Sequence, residues 1–249
     1  MANAVHWADI YAEKIVREKG EKDTYVCASG ITPSGTVHIG NFREIISVEL
    51  VVRALRRLGK TVRFIYSWDD FDVFRKVPKD TPDPEKLAGY LRFPITRVPD
   101  LVGSDESYAQ ANEKRLEQVM GVVGVHPEYI YQAGQYGRSV YSGGIRKALE
   151  HLDFIRDALN EHRSSPLPDD WTPVSIFCSS CHRDTTKVGP WDGEWSLDYT
   201  CESCGNNEHV DLREATGAKL LWRVDWPMRW AHESVDFEPA GKEHQHIQE

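Results

Sequence analysis

Between Thr24 and Asp70 the chain runs through a β-rich segment, a turn with two glycines, a long helical pattern and a second β-rich segment. That order leaves few folds open. "TYVCASG" ends in small residues and reads as a buried strand. Ile45, Val48, Val51, Val52, Leu55 and Leu58 recur at helical spacing, and Gly59 is the expected stop. "TVRFIYSWDD" reads as the next strand. Strand, helix, strand predicts parallel neighbours joined by a right-handed crossover. The fold class expected is α/β: a Rossmann-like, nucleotide-binding parallel sheet with an inserted α+β region.

The rest of the chain is less regular. Residues 4–19 read as a helix that stops at Gly20. "KVPKDTPDPEKLAGYLRFPITRVPD" is rich in proline and charge and reads as an excursion across the C-terminal edge of the sheet. Residues 105–121 read as a helix and 143–162 as a stronger one, with Ile145, Leu149, Leu152, Ile155 and Leu159 on a stripe. "KLLWRVDW" reads as a strand, and the closing "QHIQE" offers no last element, so a chain with this start is expected to continue. The boundaries expected are residues 1–75 for the first part of the sheet domain, 76–173 for an insertion and helical region, 174–210 for a metal module and 211–249 for a return to the sheet domain.

At 249 residues and 40% hydrophobic, the chain can bury one large core and a smaller satellite. A formal net charge of −9 is unlike a basic nucleic-acid-binding domain, although local basic patches stay open. The amphipathic, charged start has no apolar signal region, and no stretch approaches the roughly 18 apolar residues of a membrane span. No membrane partner is expected, and the expected location is the cytoplasm.

The turn after the first strand carries the first chemical signal. A strand that ends in glycines and feeds a helix presents backbone N–H groups and a helix dipole to an anion. The residues there are Pro33, Ser34, Gly35, Thr36, Val37, His38, Ile39, Gly40 and Asn41, which match neither GxGxxG nor GxxxxGK[ST]. Gly35 and Gly40 would admit a ring or a phosphate closely. His38 can donate to a phosphate or can cap the helix, and Thr36 is a second candidate cap. Asp69, Asp70 and Asp72 close the second strand, at the edge where parallel sheets bind ligands. Strand alternation would send Asp70 and Asp72 one way and Asp69 the other.

Four of the five cysteines form two CxxC pairs, Cys178 with Cys181 and Cys201 with Cys204. This is zinc-ribbon spacing, and four thiolates leave no open position, so a structural Zn2+ is expected. His182 and His209 keep a mixed ligand set open. Two short strands are expected between the pairs, turning at Gly189-Pro190 or Asp192-Gly193. Cys27 is expected to be a buried strand residue.

The glycine turn resembles the "HIGH" signature of class I aminoacyl-tRNA synthetases, with Asn41 in the place of the last histidine. "ASGITPSGTVHIGNFR", "SWDDFDVFRKVP", "WRVDWPMRW" and "VDFEPAGKEH", in this order and with the CxxC pairs between the second and third, resemble class I lysyl-tRNA synthetase over about residues 6–244. The resemblance implies a ligase that adenylates lysine with ATP and Mg2+ and transfers it to tRNA(Lys), with an insertion that helps hold the acceptor stem. It implies nucleotide contacts from Pro33 to Gly35, Thr36, His38, Gly40 and Asn41, with His38 and Asn41 catalytic.

For lysine it implies Gly30 and Thr32 at the end of the first strand, an acid, a pocket aromatic at Trp222 and a returning His244. Asp70 is the favoured acid and Asp69 the next. Trp222 as plain core and His244 as a tail residue are the bland alternatives. Arg229 and Lys242 are not distinguishable from surface charge in the sequence. The family's lysine-serine loop and anticodon-binding region are not among these 249 residues. Two further readings therefore stand beside the ligase: an inactive module that binds nucleotide, lysine or tRNA, and a chain completed by a second chain carrying the C-terminal region. A small nucleotidylyltransferase would account for neither the four cysteines nor the tryptophan-rich block.

Overall fold

The computed structural model describes residues 6–79, 81–103, 105–214 and 217–241. The elements run α1 (Trp7–Lys19), β1 (Tyr25–Ile31), α2 (Ile39–Arg57), β2 (Val62–Trp68), α3 (Pro84–Ala88), α4 (Tyr108–Val122), β3 (Glu128–Tyr131), α5 (Gln132–Gly137), α6 (Ser142–Glu150), α7 (Leu152–Glu161), β4 (Val174–Ile176), β5 (Thr186–Trp191), β6 (Ser196–Cys201), β7 (Asn207–Asp211), β8 (Ala218–Leu220) and α8 (Trp222–Glu233). The strand–helix–strand unit is as expected: β1 and β2 pair in parallel, Tyr25 opposite Val62 through Ile31 opposite Trp68. A third parallel strand, β3, joins β2, giving the order β1-β2-β3. Four residues are too few for a periodic signal, which is why β3 escapes a pattern reading.

One face of this sheet carries the larger part of its apolar burial. Tyr25, Cys27, Phe64, Tyr66 and Trp68 pack against Ile45, Val48, Val52 and Leu55 of α2, with α1 and α4 completing the layer. Cys27 is fully buried, and burial pushes its thiol up to about 12, so it stays protonated and inert. The opposite face, through Val26, Ala28, Ile65 and Ile130, is thinly covered and packs against Val235. It is here that the segment after α8 returns. Asp236 and Phe237 lie beside β1, with Cys27 bridged in parallel to Phe237 and the Ala28 N–H donating to the Phe237 carbonyl at 2.8 Å.

The second core gathers α6, the two-stranded β4–β8 pair and the antiparallel β5-β6-β7 sheet. The turn between β5 and β6 falls at Asp192-Gly193, where Gly193 takes φ +87°, a conformation that a side chain disfavours. Gly189-Pro190 lies inside β5, beside its register shift.

Three expectations need correction. The 143–162 helix is two helices, re-aimed at His151, so that Ile145 and Leu149 are buried while Ile155 and Leu159 only lean on the core. "KLLWRVDW" is not a strand. It contributes two residues to the short β8 and then opens α8, with Trp222 as the first helical residue. Thr36 is not the cap of α2. His38 is, through its ring Nδ1, which accepts from the Gly40 N–H at 3.0 Å.

Candidate functional site

The parallel pair β1–β2 ends at Ile31 and Trp68, with one last rung from the Asp69 N–H to the Ile31 carbonyl at 3.0 Å. Above that edge, on the thinly covered face, lies a cavity of about 330 Å3. Gly30 and Thr32 line it from the first strand, Ser67, Asp69, Asp72 and Arg75 from the second, and Trp222, Trp226, Arg229 and Trp230 from α8. Gly30 is dictated by packing: a Cβ there would sit 2.6 Å from the Ser67 carbonyl oxygen. The three tryptophans recur every fourth residue, so α8 turns one aromatic stripe to the cavity, with ring centroids 6.4 and 5.1 Å apart. Trp222 is 40% exposed, which excludes the plain-core alternative.

The acids do not sort as strand alternation required. β2 stops at Trp68 and the chain turns at Asp70, so the period of two no longer applies. Asp69 and Asp72 face the cavity. Asp70 is rotated to the other side, where its Oδ1 accepts the Ala133 N–H at 2.7 Å in the first turn of α5. Burial raises its carboxyl to about 6 although that N–H works against the rise.

A buried ion network holds Asp69 and Asp72. The Arg229 guanidinium reaches Asp69 at 2.6 Å and Asp225 at 3.1 Å, and it is 8% exposed, so it is no surface cation. Asp225 also takes a short hydrogen bond from the Tyr136 hydroxyl. Burial opposes the charge on Arg229, but Asp225 and Asp69 outweigh it and keep the guanidinium protonated. On the other side, Lys219 bonds Asp72 at 2.6 Å, and the Thr32 hydroxyl donates to the second Asp72 oxygen at 2.9 Å. Burial pushes the Asp72 carboxyl up, yet Lys219 and Thr32 hold it below its usual range. Lys219, Asp225 and Tyr136 were not singled out by sequence. For Asp225 the signal is its i, i+4 pairing with Arg229, visible only once the segment is read as a helix; Lys219 and Tyr136 are brought in by long-range contacts.

The glycine turn lies beside a separate hollow, lined by Thr36, Val37, His38, Phe42, Arg115 and Val119. The turn is tied to α4: the Asn112 amide donates to the Pro33 carbonyl at 3.2 Å, and the Tyr108 hydroxyl to the Ser34 carbonyl at 3.1 Å. At the head of α2 the two signature residues form a capping box, with the Asn41 Oδ1 accepting the His38 N–H at 3.4 Å. With Nδ1 of His38 accepting, the proton of a neutral ring sits on Nε2. Likewise the Asn41 oxygen is engaged, which leaves its NH2 as the donor. A Cβ at Gly40 would lie 2.8 Å from the His38 ring, so the second glycine makes room for that ring. His244 and Lys242 lie outside the described residues.

The four cysteine sulfurs all lie within 4.8 Å of one another. Cys178 and Cys204 are 3.7 Å apart and Cys181 and Cys201 3.5 Å, close to the roughly 3.8 Å edge of a tetrahedron with Zn–S of about 2.3 Å. Burial disfavours a Cys178 thiolate, but the N–H groups of Cys181 and Ser180 outweigh it and bring the thiol down to about 6, while burial and the neighbouring sulfurs push the Cys181 thiol up to about 12. The donor set therefore fits a tetrahedral thiophilic cation. Neither histidine belongs to it: His209 bonds Asp198 at 2.7 Å, and among the described residues the cluster with ligand spacing consists of the four cysteines. Among the described residues, no helix is long and apolar enough to cross a membrane.

Comparison with known proteins adds a second line of observation. The family model described as tRNA synthetases class I (K) matches residues 5–247. A lysine–tRNA ligase of Borreliella burgdorferi is 58% identical over 239 residues, which are 96% of this chain and 46% of the relative. One of Treponema pallidum is 54% identical over 243 residues, 97% of this chain and 46% of the relative. One of Pyrococcus horikoshii is 47% identical over 244 residues, 96% of this chain and 46% of the relative. The chain thus spans a little under half the length of the curated relatives it matches.

Proposed function

This chain belongs to the family of class I tRNA synthetases (K), and from that premise we propose that its 249 residues form the lysine- and nucleotide-binding part of a lysine–tRNA ligase. The observation that carries the reading is the cavity at the C-terminal edge of β1 and β2, with Gly30 and Thr32 at its mouth and the His38–Asn41 capping box on the same strand-to-helix connection. Parallel sheets bind ligands at this edge, and the reading makes the sheet a Rossmann-like nucleotide fold.

Adenylation is an in-line attack of the amino-acid carboxylate on the α-phosphorus of ATP, with pyrophosphate leaving. The protein's work is to hold the two reactants in line and to meet charge that grows on the phosphates. His38 donates from Nε2 and Asn41 from its amide NH2. Both donors are preset because their other polar atoms are spent on capping α2. The backbone from Pro33 to Gly40, with Thr36, borders the nucleotide, which brings its own Mg2+. In the cavity, Gly30 and Thr32 take the α-amino and carboxylate end of lysine, and the Trp222 ring packs against the stem. Asp70, turned under α5, is replaced as the candidate acid by groups that face the cavity.

The four cysteines are read as a structural zinc ribbon that fixes residues 174–210, away from the reacting atoms. Residues 76–173 are read as the insertion that meets the acceptor stem of tRNA(Lys). The part of the relatives beyond the aligned half, in the same chain or another, is read as carrying the remaining loop and the anticodon contacts.

Equilibrium binding to the 249-residue chain tests this. Lysine and ATP should each bind, and His38→Ala should weaken ATP without moving lysine. A chain that binds neither ligand would overturn the proposal.

A further inference from the structure

A pocket that selects lysine needs an acid whose charge is not already spent. Four acids line the cavity: Asp69, Asp72, Glu233 and Glu238. Three face cations of the protein itself. Asp69 holds Arg229, Asp72 holds Lys219, and Glu233 holds Arg63 at 2.5 Å. Glu238 differs. Its hydrogen bonds among the described residues come from two neutral donors, the indole N–H of Trp226 at 3.0 Å and that of Trp230. Both fall on Oε2, which uses two of about four acceptor sites of a carboxylate.

We propose that Glu238 is the acceptor for the side-chain ammonium of lysine, held in place by the Trp226 and Trp230 indoles; this rests on the lysine-ligase reading above. The register supports it. Phe237 pairs in parallel with Cys27, and its carbonyl accepts the Ala28 N–H, so Glu238 lies level with Ala28. Gly30, at the α-carbon end of the pocket, is two residues further along β1, or roughly 7 Å. An extended lysine side chain spans about 6 Å from Cα to Nζ by bond lengths of this order. The stem between these ends runs along the tryptophan stripe.

The surroundings favour a cation. Burial raises the Glu238 carboxyl to about 7, with Glu44 adding to the rise and the Trp230 and Trp226 N–H groups and Arg229 opposing it. An ammonium placed beside it restores the ionised form, and a charge pair formed out of water is strongly selective for a ligand that carries the charge. Two indole donors instead of a cation orient the acid without neutralising it. Lysine binding is then the event that completes its charge balance.

The test is calorimetric titration of the 249-residue chain with lysine, with norleucine, which keeps the stem but lacks the ammonium, and with ATP. The unmodified chain should prefer lysine. Glu238→Gln, which keeps an acceptor for the indoles, should weaken lysine tenfold or more and leave norleucine and ATP within twofold. Equal loss of lysine and norleucine, or no loss of lysine, would overturn the assignment. Glu238→Asp gives a second reading, because a shorter acid should shift preference towards homolysine, whose stem is one methylene longer. An unchanged homolysine-to-lysine ratio would also overturn it. If the unmodified chain binds ATP but no lysine, or binds neither, the ligase reading fails first and takes the inference with it. Lysine binding that ignores both substitutions removes Glu238 alone.

Discussion

Replacing Arg229 with methionine keeps much of the side-chain volume of α8 and removes one buried charge. Asp225, 4% exposed, then keeps only the Tyr136 hydroxyl and the more distant Lys219 as favourable partners, and Asp69 loses its cation. Removing one partner of a buried ion pair costs about 3–5 kcal/mol, because the other charge is left uncompensated. For a chain of this size that corresponds to a fall of roughly 10 °C in Tm. The deficit should depend on pH in a definite direction. Burial already pushes the Asp225 carboxyl up, and Arg229 is the leading influence that restrains it. Without Arg229 the folded-state value climbs further, while the unfolded value stays near 3.9. An acid whose pKa is raised on folding contributes stability that is present below the unfolded value and is lost as pH rises through the folded one. The variant should therefore lie closest to the parent near pH 5 and furthest below it at pH 8. Urea unfolding across that range, followed by tryptophan fluorescence, reads the difference. Adding Asp225→Asn to Arg229→Met should recover at least half of the loss at pH 8. A deficit under about 1 kcal/mol at pH 8, or one that is flat with pH, refutes the claim that Arg229 neutralises a buried carboxylate.

Serine at Cys201 should lower bound zinc from one per chain to less than half and speed amide exchange across residues 174–210; a reduced, purified parent into which no stoichiometric zinc can be restored would count against the site. His38→Ala should weaken ATP tenfold or more in the 249-residue chain, while lysine-dependent exchange of pyrophosphate into ATP stays near background in the parent; robust exchange that His38→Ala abolishes would show that these residues suffice for adenylation. Asp70→Asn should leave lysine binding within twofold. Because the Asp70 carboxyl is raised to about 6, its contribution to stability falls as pH climbs from about 4 to 6, so the asparagine variant should gain on the parent across that window, by up to roughly 3 kcal/mol, and hold level above it.

The strands and helices that follow a long period are legible in the sequence. The β1–α2–β2 unit and the cysteine spacing both appear in the structure at the expected residues. What was not legible has specific physical causes. The grouping of Asp70 with Asp72 followed a period of two that holds only inside a strand, and the strand ends two residues before Asp70. Trp222 was assigned to a strand because "LLWRV" is rich in apolar and β-prone residues. Its helical character lies in the i, i+4 pairs that follow it, Trp222 with Trp226 and Asp225 with Arg229, and in a Pro227 that the helix accommodates. Arg229 and Lys219 look like surface charge until tertiary packing brings Asp69, Asp72 and Asp225 to them. The capping role of His38 was one of the alternatives in the sequence. The capping box makes it compatible with the donor role, since the two use different ring nitrogens.

The return of residues 236 and 237 to the side of β1 has a consequence for how the chain is made. Val26 is joined to Asp236 across 210 residues of sequence. At elongation rates of about 5–20 residues per second, β1 waits roughly 10–40 s on the ribosome before the segment that covers its free edge is synthesised. During that interval β1 can already pair with β2, but its outer N–H and C=O groups are an open template for any extended chain nearby. Production of this protein should therefore respond to translation speed and to holdase chaperones more than its folded stability suggests. A circular permutant that places residues 234–241 ahead of Tyr25 would remove the wait.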